Sequence, residues 1–194
     1  KIKFYVRGKA AHAGVCPEEG INAIRAASRA IANLPFMGRI DGESTCNIGI
    51  IKGGRATNIV PDEVIVEGEL RSISEEKLEK FIGEWTESFR KSIEEEKASV
   101  EIKVERAYGG YSISEGHPIM ELLKKAADVL GIPLVPEITG GGSDTNILNA
   151  KGIPAVNLSV GMTNVHETKE RIAIPDMVSA TALVVEIVKA NTGR

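Results

Sequence analysis

Three histidines, His12, His117 and His166, carry the most versatile chemistry in this sequence. An imidazole can donate or accept a proton near neutral pH, and it can bind a metal. His166 lies in SVGMTNVHETKE, just after an apolar run at residues 153–160, with Glu167 and Glu170 close behind. In open α/β sheets, ligands gather beyond the carboxyl ends of strands. A histidine there suits a metal ligand supported by nearby carboxylates, and equally a loop residue that merely hydrogen-bonds. No second histidine stands at metal-motif spacing, so His166 by itself makes no zinc site. His12 sits between Ala11 and Ala13, ahead of Gly14. Small neighbours let a backbone or a ligand come close, although an exposed turn is the plain alternative. His117 precedes Pro118 and reads as the start of a helix.

Other candidates are weaker. TGGGSD (residues 139–144) could cradle an anion at a helix N-terminus, but it lacks the P-loop lysine and the GxGxxG spacing. A plain helix cap by Ser143 or Asp144 is the alternative. The acidic pairs Glu18-Glu19, Glu75-Glu76 and Glu94-Glu95 fall on exposed helix ends or faces. There is no Gly-x-Ser-x-Gly elbow, and neither Cys16 nor Cys46 has an obvious local base.

The elements that must position these residues form two blocks. Residues 2–8 alternate, with Ile2, Phe4 and Val6 on one face, as in a half-buried strand. A loop leads to Pro17, where a helix is expected to open and run to Leu34 with Ile21, Ile24, Ile31 and Leu34 along it. Residues 45–51 predict a strand with Cys46, Ile48 and Ile50 on one face. Residues 63–71 predict another, with Val64, Val66 and Leu70 inward. GGRATNIVP lies between them. A helix follows from Ser72 or Ser74, with Leu78, Phe81, Ile82, Trp85, Phe89 and Ile93 as its apolar stripe. Residues 99–107 predict a last strand that buries Val100, Ile102 and Val104. This β-α-β-β-α-β order over residues 1–110 predicts a ferredoxin-like domain.

Residues 111–194 read differently. Helices are expected at about 118–130, 143–150 and 175–190, with short apolar strands at 134–138 and 153–160. The second strand is apolar on both faces, as a buried parallel strand would be. Two strands do not make a stable sheet. The chain also opens on Lys1 with a strand at once. It is therefore expected to be the C-terminal part of a longer protein.

Composition narrows the class. Of 194 residues, 42% are hydrophobic and 26% charged, enough for a real core. A net charge of -3 argues against a general electrostatic grip on nucleic acid or anionic lipid. No stretch is long and apolar enough to span a membrane as a helix. Two cysteines without CxxC spacing fit a reducing, cytoplasmic setting.

Three segments in this order, GKAAHAGVCPEEGINAI, NIGIIKGGRATNIVPDEVIVEGELRS and GGGSDTNILNAKGIPAVNLSVGMTNVHETKERI, resemble the zinc-dependent exopeptidases. That family includes peptidase T, carboxypeptidase G, aminoacylase and succinyl-diaminopimelate desuccinylase, and the first segment is most similar to the peptidase T-like branch. The resemblance implies a ferredoxin-like lid, or dimerisation domain, at 1–110. It implies the C-terminal part of an α/β catalytic domain at 111–194. It also implies amide hydrolysis of a small peptide or acyl-amino acid at a centre of two zinc ions, in a homodimer joined through the lid. By the same resemblance, His166 is a zinc ligand. His12 and Asn58 would polarise the scissile carbonyl from the lid of a neighbouring subunit. Arg71 would hold a substrate carboxylate, a task that suits a guanidinium fork. Gly141 and Gly142 would line the substrate pocket, and Asp144 would be structural. The family's N-terminal half, with most metal ligands and a general-base glutamate, has no counterpart here, so the isolated chain is expected to be inactive. Two other classes stay open: a non-enzymatic dimerising or ligand-binding module, and a phosphate site at the glycine loop.

Overall fold

The computed structural model describes residues 1–192. The chain divides into two compact units, Lys1–Gly110 and Tyr111 onward. In the first, β1 (Ile2–Arg7), β2 (Gly38–Arg39), β3 (Ser44–Gly53), β4 (Glu63–Ser72) and β5 (Ser99–Val104) form one sheet in the order β2-β3-β4-β1-β5. Every pairing is antiparallel. Apart from the two-residue β2, this is the ferredoxin-like arrangement that the element order predicts.

Alternation along β1 and β4 turns Ile2, Phe4, Val6, Val64 and Val66 toward one face, where all five are buried. Two helices, α1 (Ala23–Ala32) and α2 (Glu75–Glu95), cover that face. The expected stripe on α2 is present: Trp85, Phe89 and Ile93 are fully buried. Phe89 stacks on Phe4 with ring centroids 3.9 Å apart. The indole N–H of Trp85 donates to the carbonyl of Phe36 at 3.2 Å, so its burial leaves no orphan donor. Ser74 is the N-cap, accepting from the Lys77 amide. Ser72 instead accepts from the Ser74 amide and bonds the buried hydroxyl of Ser44.

Several local expectations need correction. Pro17–Glu19 is only a single 3-10 turn, and α1 starts later, capped by the Asn22 side chain. The reason is an extended crossing: Lys9 and Ile21 exchange both backbone hydrogen bonds at 2.9 Å. A Cβ on Gly8 would collide with the Ile21 carbonyl, so this crossing needs glycine. The buried face of α1 is Ala23, Ala26, Ala27 and Ala30, while Ile24 is exposed. Small side chains let that helix lie close to the sheet. In β3 the register shifts between Ile48 and Ile50, a bulge at Gly49. It puts Ile50 opposite Glu67, off the face that Cys46 and Ile48 share. β5 stops at Val104, which is half-exposed rather than buried.

The second unit contains α3 (Pro118–Leu130), α4 (Asp144–Ala150) and α5 (Ile174–Thr192), with α3 packed on α5. His117 caps α3, its Nδ1 accepting from the Ile119 amide. The strands expected at 134–138 and 153–160 do not form. Both segments lie outside any ladder, and Val135, Ile138 and Ile153 are exposed. A strand needs a neighbour to satisfy its backbone, and among the described residues this unit offers none. α5 likewise has no buried residue, and Ile174, Met177, Val178, Val184, Val185 and Val188 all face outward. Among the described residues no helix is long and apolar enough to cross a membrane.

Truncating Phe89 to alanine removes the stacked ring at the centre of the first unit. Its expected cost is about 3–5 kcal/mol. Urea unfolding followed by the fluorescence of Trp85, the sole tryptophan, should show the midpoint falling at an unchanged slope.

Candidate functional site

Where β1 and β4 meet at Arg7↔Glu63, two loops leave the sheet side by side. Residues 8–22 run along residues 54–62, and backbone hydrogen bonds join them. Gly8 N donates to Asp62 O at 2.8 Å, Val60 N to Ala11 O at 2.9 Å and Ala13 N to Asn58 O at 3.0 Å. His12 and Ile59 face each other as an isolated bridge. Gly20 lies so close to Val60 that a Cβ there would stand 2.8 Å from its Cγ1. Arg55 closes the second loop, donating to both carboxylate oxygens of Asp62 at 2.7 Å. That guanidinium holds the Asp62 carboxyl below its ordinary pKa.

The clip sets the backbones of His12 and Asn58 side by side at one rim: His12 stands opposite Ile59 and Asn58 beside Ala13, so alternation sends the two side chains to opposite faces of the paired loops. Both are exposed. The His12 carbonyl accepts from the amides of Val15 and Cys16, which tightens the turn behind it. Its ring accepts from Gly14 N at Nδ1, 3.1 Å away. Asn58 is fixed by its backbone, and its side-chain amide is left toward solvent. Each side chain can act as a hydrogen-bond donor, His12 from one face of the paired loops and Asn58 from the other.

Arg71 is elsewhere. It lies near the far end of β4, opposite Thr45, and alternation puts it on the face away from the helices. Nε and Nη2 both donate to Glu69 Oε1, at 2.9 and 2.8 Å. The eight steps of strand between Glu63 and Arg71 span about 26 Å at the usual rise per residue. Within one chain, Arg71 and the His12–Asn58 rim therefore do not meet.

In the second unit, the glycine loop leads into α4. The Gly141 amide donates to Thr139 Oγ1 at 3.1 Å, and Ser143 caps the helix in a reciprocal box with Asn146. The Ser143 hydroxyl is already engaged by Thr145 at 2.6 Å and by the Asn157 amide group. That gives no support to a phosphate held by this hydroxyl. Tyr111 bonds Thr145, and Asn149 clamps both the N–H and the carbonyl of Ala155. Sequence reasoning missed Tyr111, Asn149 and Asn157. Asn157 left one signal, a polar residue inside an apolar run. Asp144 opens α4, where a carboxylate favours the helix dipole.

His166 occupies the left-handed region, φ 68°, which is uncommon outside glycine. Its backbone N–H donates to Glu170 Oε2 at 2.7 Å, and a Thr163–Arg171 bridge closes the loop around it. The glutamate thus braces the turn rather than the ring. Among the described residues, no three His, Cys, Asp or Glu side chains converge as a metal site. One imidazole does not fit a resident zinc by itself. Cys46 is buried, and desolvation raises its thiol pKa, which disfavours the nucleophilic thiolate.

Residues 1–97, half of the chain, match the sequence pattern of the M20 peptidase dimerisation domain. The chain belongs to that peptidase family. YqjE of Bacillus subtilis is 41% identical over 189 residues, covering 97% of this chain and 51% of that protein. A Staphylococcus aureus tripeptidase is 38% identical with a TM-score of 0.82, over 97% of this chain and 50% of that one. The aminopeptidase PepT of Bacillus cereus is 40% identical with a TM-score of 0.77, over the same shares. The chain spans about half the length of these M20 relatives.

The Arg55–Asp62 pair sets a pH dependence for the M20 loop clip. Asp62 has a lowered pKa when folded, so its contribution is complete above the unfolded carboxylate range near 4. The contribution fades as pH falls through the lower folded value. Amide exchange at Ile59 and Val60 should speed up in Asp62→Asn at neutral pH. In the unaltered chain the same change should appear only as pH falls below the usual carboxylate range.

Proposed function

We propose that this chain supplies the lid and the C-terminal part of the active site of a peptidase T-like, metal-dependent exopeptidase. Its substrate class is a small peptide or acyl-amino acid. One observation carries the reading: the loop clip fixes the backbones of His12 and Asn58 on adjacent segments of the domain that aligns with PepT and the tripeptidase. An amide carbonyl gains negative charge as it is attacked, and fixed donors stabilise that charge most when they are already in place. His12 and Asn58 are those donors. Arg71 pairs with a substrate carboxylate in exchange for Glu69. Gly141 and Gly142, without side chains, let the backbone line the substrate. His166 supplies one ligand to a metal centre, two zinc ions by resemblance, whose other donors lie outside this chain. When bound, that centre activates water and polarises the carbonyl. The free thiols of Cys16 and Cys46 agree with a reducing, cytoplasmic compartment.

The separation along β4 supports a further feature of this reading. Arg71 and the His12–Asn58 rim serve different active sites, so each site takes Arg71 from one protomer and the rim from the other. The joining surface is the open edge of β3. β2 pairs only with Thr45 and Cys46, Ile50 and Ile51 are exposed along the rest of that edge, and exposed Ile24 lies against Gly54 just past its end. Pairing two such edges about a twofold axis covers both the apolar side chains and the unpaired backbone.

In the longer protein, His12→Ala should lower kcat by about a hundredfold or more while bound metal stays unchanged. Equal loss of both would count against the role. Mixing inactive His12→Ala and Arg71→Ala protomers should restore activity, because one site of each hybrid dimer is intact. No recovery in hybrids that demonstrably form would place both residues in one protomer's site. The isolated chain should not hydrolyse tripeptides with zinc added, and zinc-dependent turnover would overturn the half-site reading. Ile51→Lys should shift the sedimentation coefficient of the chain from dimer to monomer. A persistent dimer would move the interface elsewhere.

A further inference from the structure

We infer that Gly14 is a positioning residue: its backbone amide locks the neutral His12 ring in the tautomer that carries its proton on Nε2. A backbone N–H can only donate. Gly14 N stands 3.1 Å from Nδ1, so Nδ1 is the accepting, unprotonated nitrogen. The single ring proton of a neutral imidazole then sits on Nε2. Among the described residues, Nε2 has no protein partner, and the side chain is exposed at the rim. The lock is built from rigid parts. Ala13 N is tied to Asn58 O, and the His12 carbonyl accepts from Val15 and Cys16. The amide of Gly14 is thereby carried on a tight turn, under the ring that it contacts.

The tautomer decides what this histidine can do. With its proton on Nε2 it offers a donor to an oxygen outside the loop. In that form it cannot take a proton at Nε2 or bind a metal through it. The loop is therefore preorganised as an electrophilic group before any substrate, metal or second protomer arrives, and general-base work falls to another residue. The importance of this lock rests on the role proposed for His12 above, but its test does not, because it is read on the isolated chain without catalysis.

The experiment is nitrogen-15 NMR of the uniformly labelled chain at about pH 8, where ordinary imidazoles are neutral. Long-range proton–nitrogen spectra should show His12 in the Nε2–H pattern, and a through-hydrogen-bond coupling should link Gly14 N to His12 Nδ1. A proton on Nδ1, or an averaged mixture with no coupling, would overturn the lock. Gly14→Pro removes the donor, so the ring should move to a mixture of both tautomers. If a folded Gly14→Pro chain kept the pure Nε2–H pattern, the amide would not be the cause. Should that variant fail to fold, the coupling in the unaltered chain decides the question by itself. A confirmed lock with no kinetic effect of His12→Ala would remove the proposed role of His12 and leave the tautomer assignment intact.

Discussion

β1 pairs with β4 from Ile2↔Gly68 to Arg7↔Glu63, and that register determines where two distant loops leave the sheet. Because both depart at the Arg7–Glu63 end, their backbones run close enough to exchange hydrogen bonds. The Val60–Ala11 and Ala13–Asn58 bonds continue the antiparallel logic past the last ladder residue. A one-residue slip in β1 would turn Phe4 out of the core and break the match between the loops. Phe4 on Phe89, the buried Trp85 and the close-packed alanines of α1 hold the register against that slip. The rim therefore inherits its rigidity from the core below.

The same sheet is asymmetric at its borders. β1 lies inside, with β4 and β5 on either side, and its backbone is fully paired. β3 is covered by β2 over two residues only. An edge with exposed isoleucines is a hazard for a solitary molecule and an asset for a symmetric pair. The bulge at Gly49 bends this edge and swaps the faces beyond it, putting Ile50 with Glu67 and Ile51 with Val66; ordinary alternation then offers apolar contact on both sides of a joined sheet.

The second unit expresses the opposite condition. Its helices form, since their hydrogen bonds are internal and their caps are local: His117 and Gly131 for α3, Ser143 with Asn146 for α4. Its apolar runs at 134–138 and 153–160 stay outside any ladder, because strand bonds are made only with another strand. Asn149 replaces a little of that pairing at Ala155. The exposed valines of α5 belong to the same deficit, an apolar face that α3 alone does not cover.

Local chemistry was legible in the residues themselves. Alternation in 2–8 and 63–71, the aromatic stripe of α2, and the cap before Pro118 all follow from periods and side-chain types that act over a few residues. The segments around His12, Asn58 and His166 were enough to indicate the family before any coordinates. What the sequence did not disclose depends on contacts between remote parts. The late start of α1 comes from the Lys9–Ile21 crossing, and the outward turn of Ile50 from a bulge against β4. The pairing of the loops that carry His12 and Asn58, and the distance of both from Arg71, depend on strand order and register. Neighbours in sequence set the shape of an element, whereas hydrogen-bond partners many residues away set where it ends and what it faces.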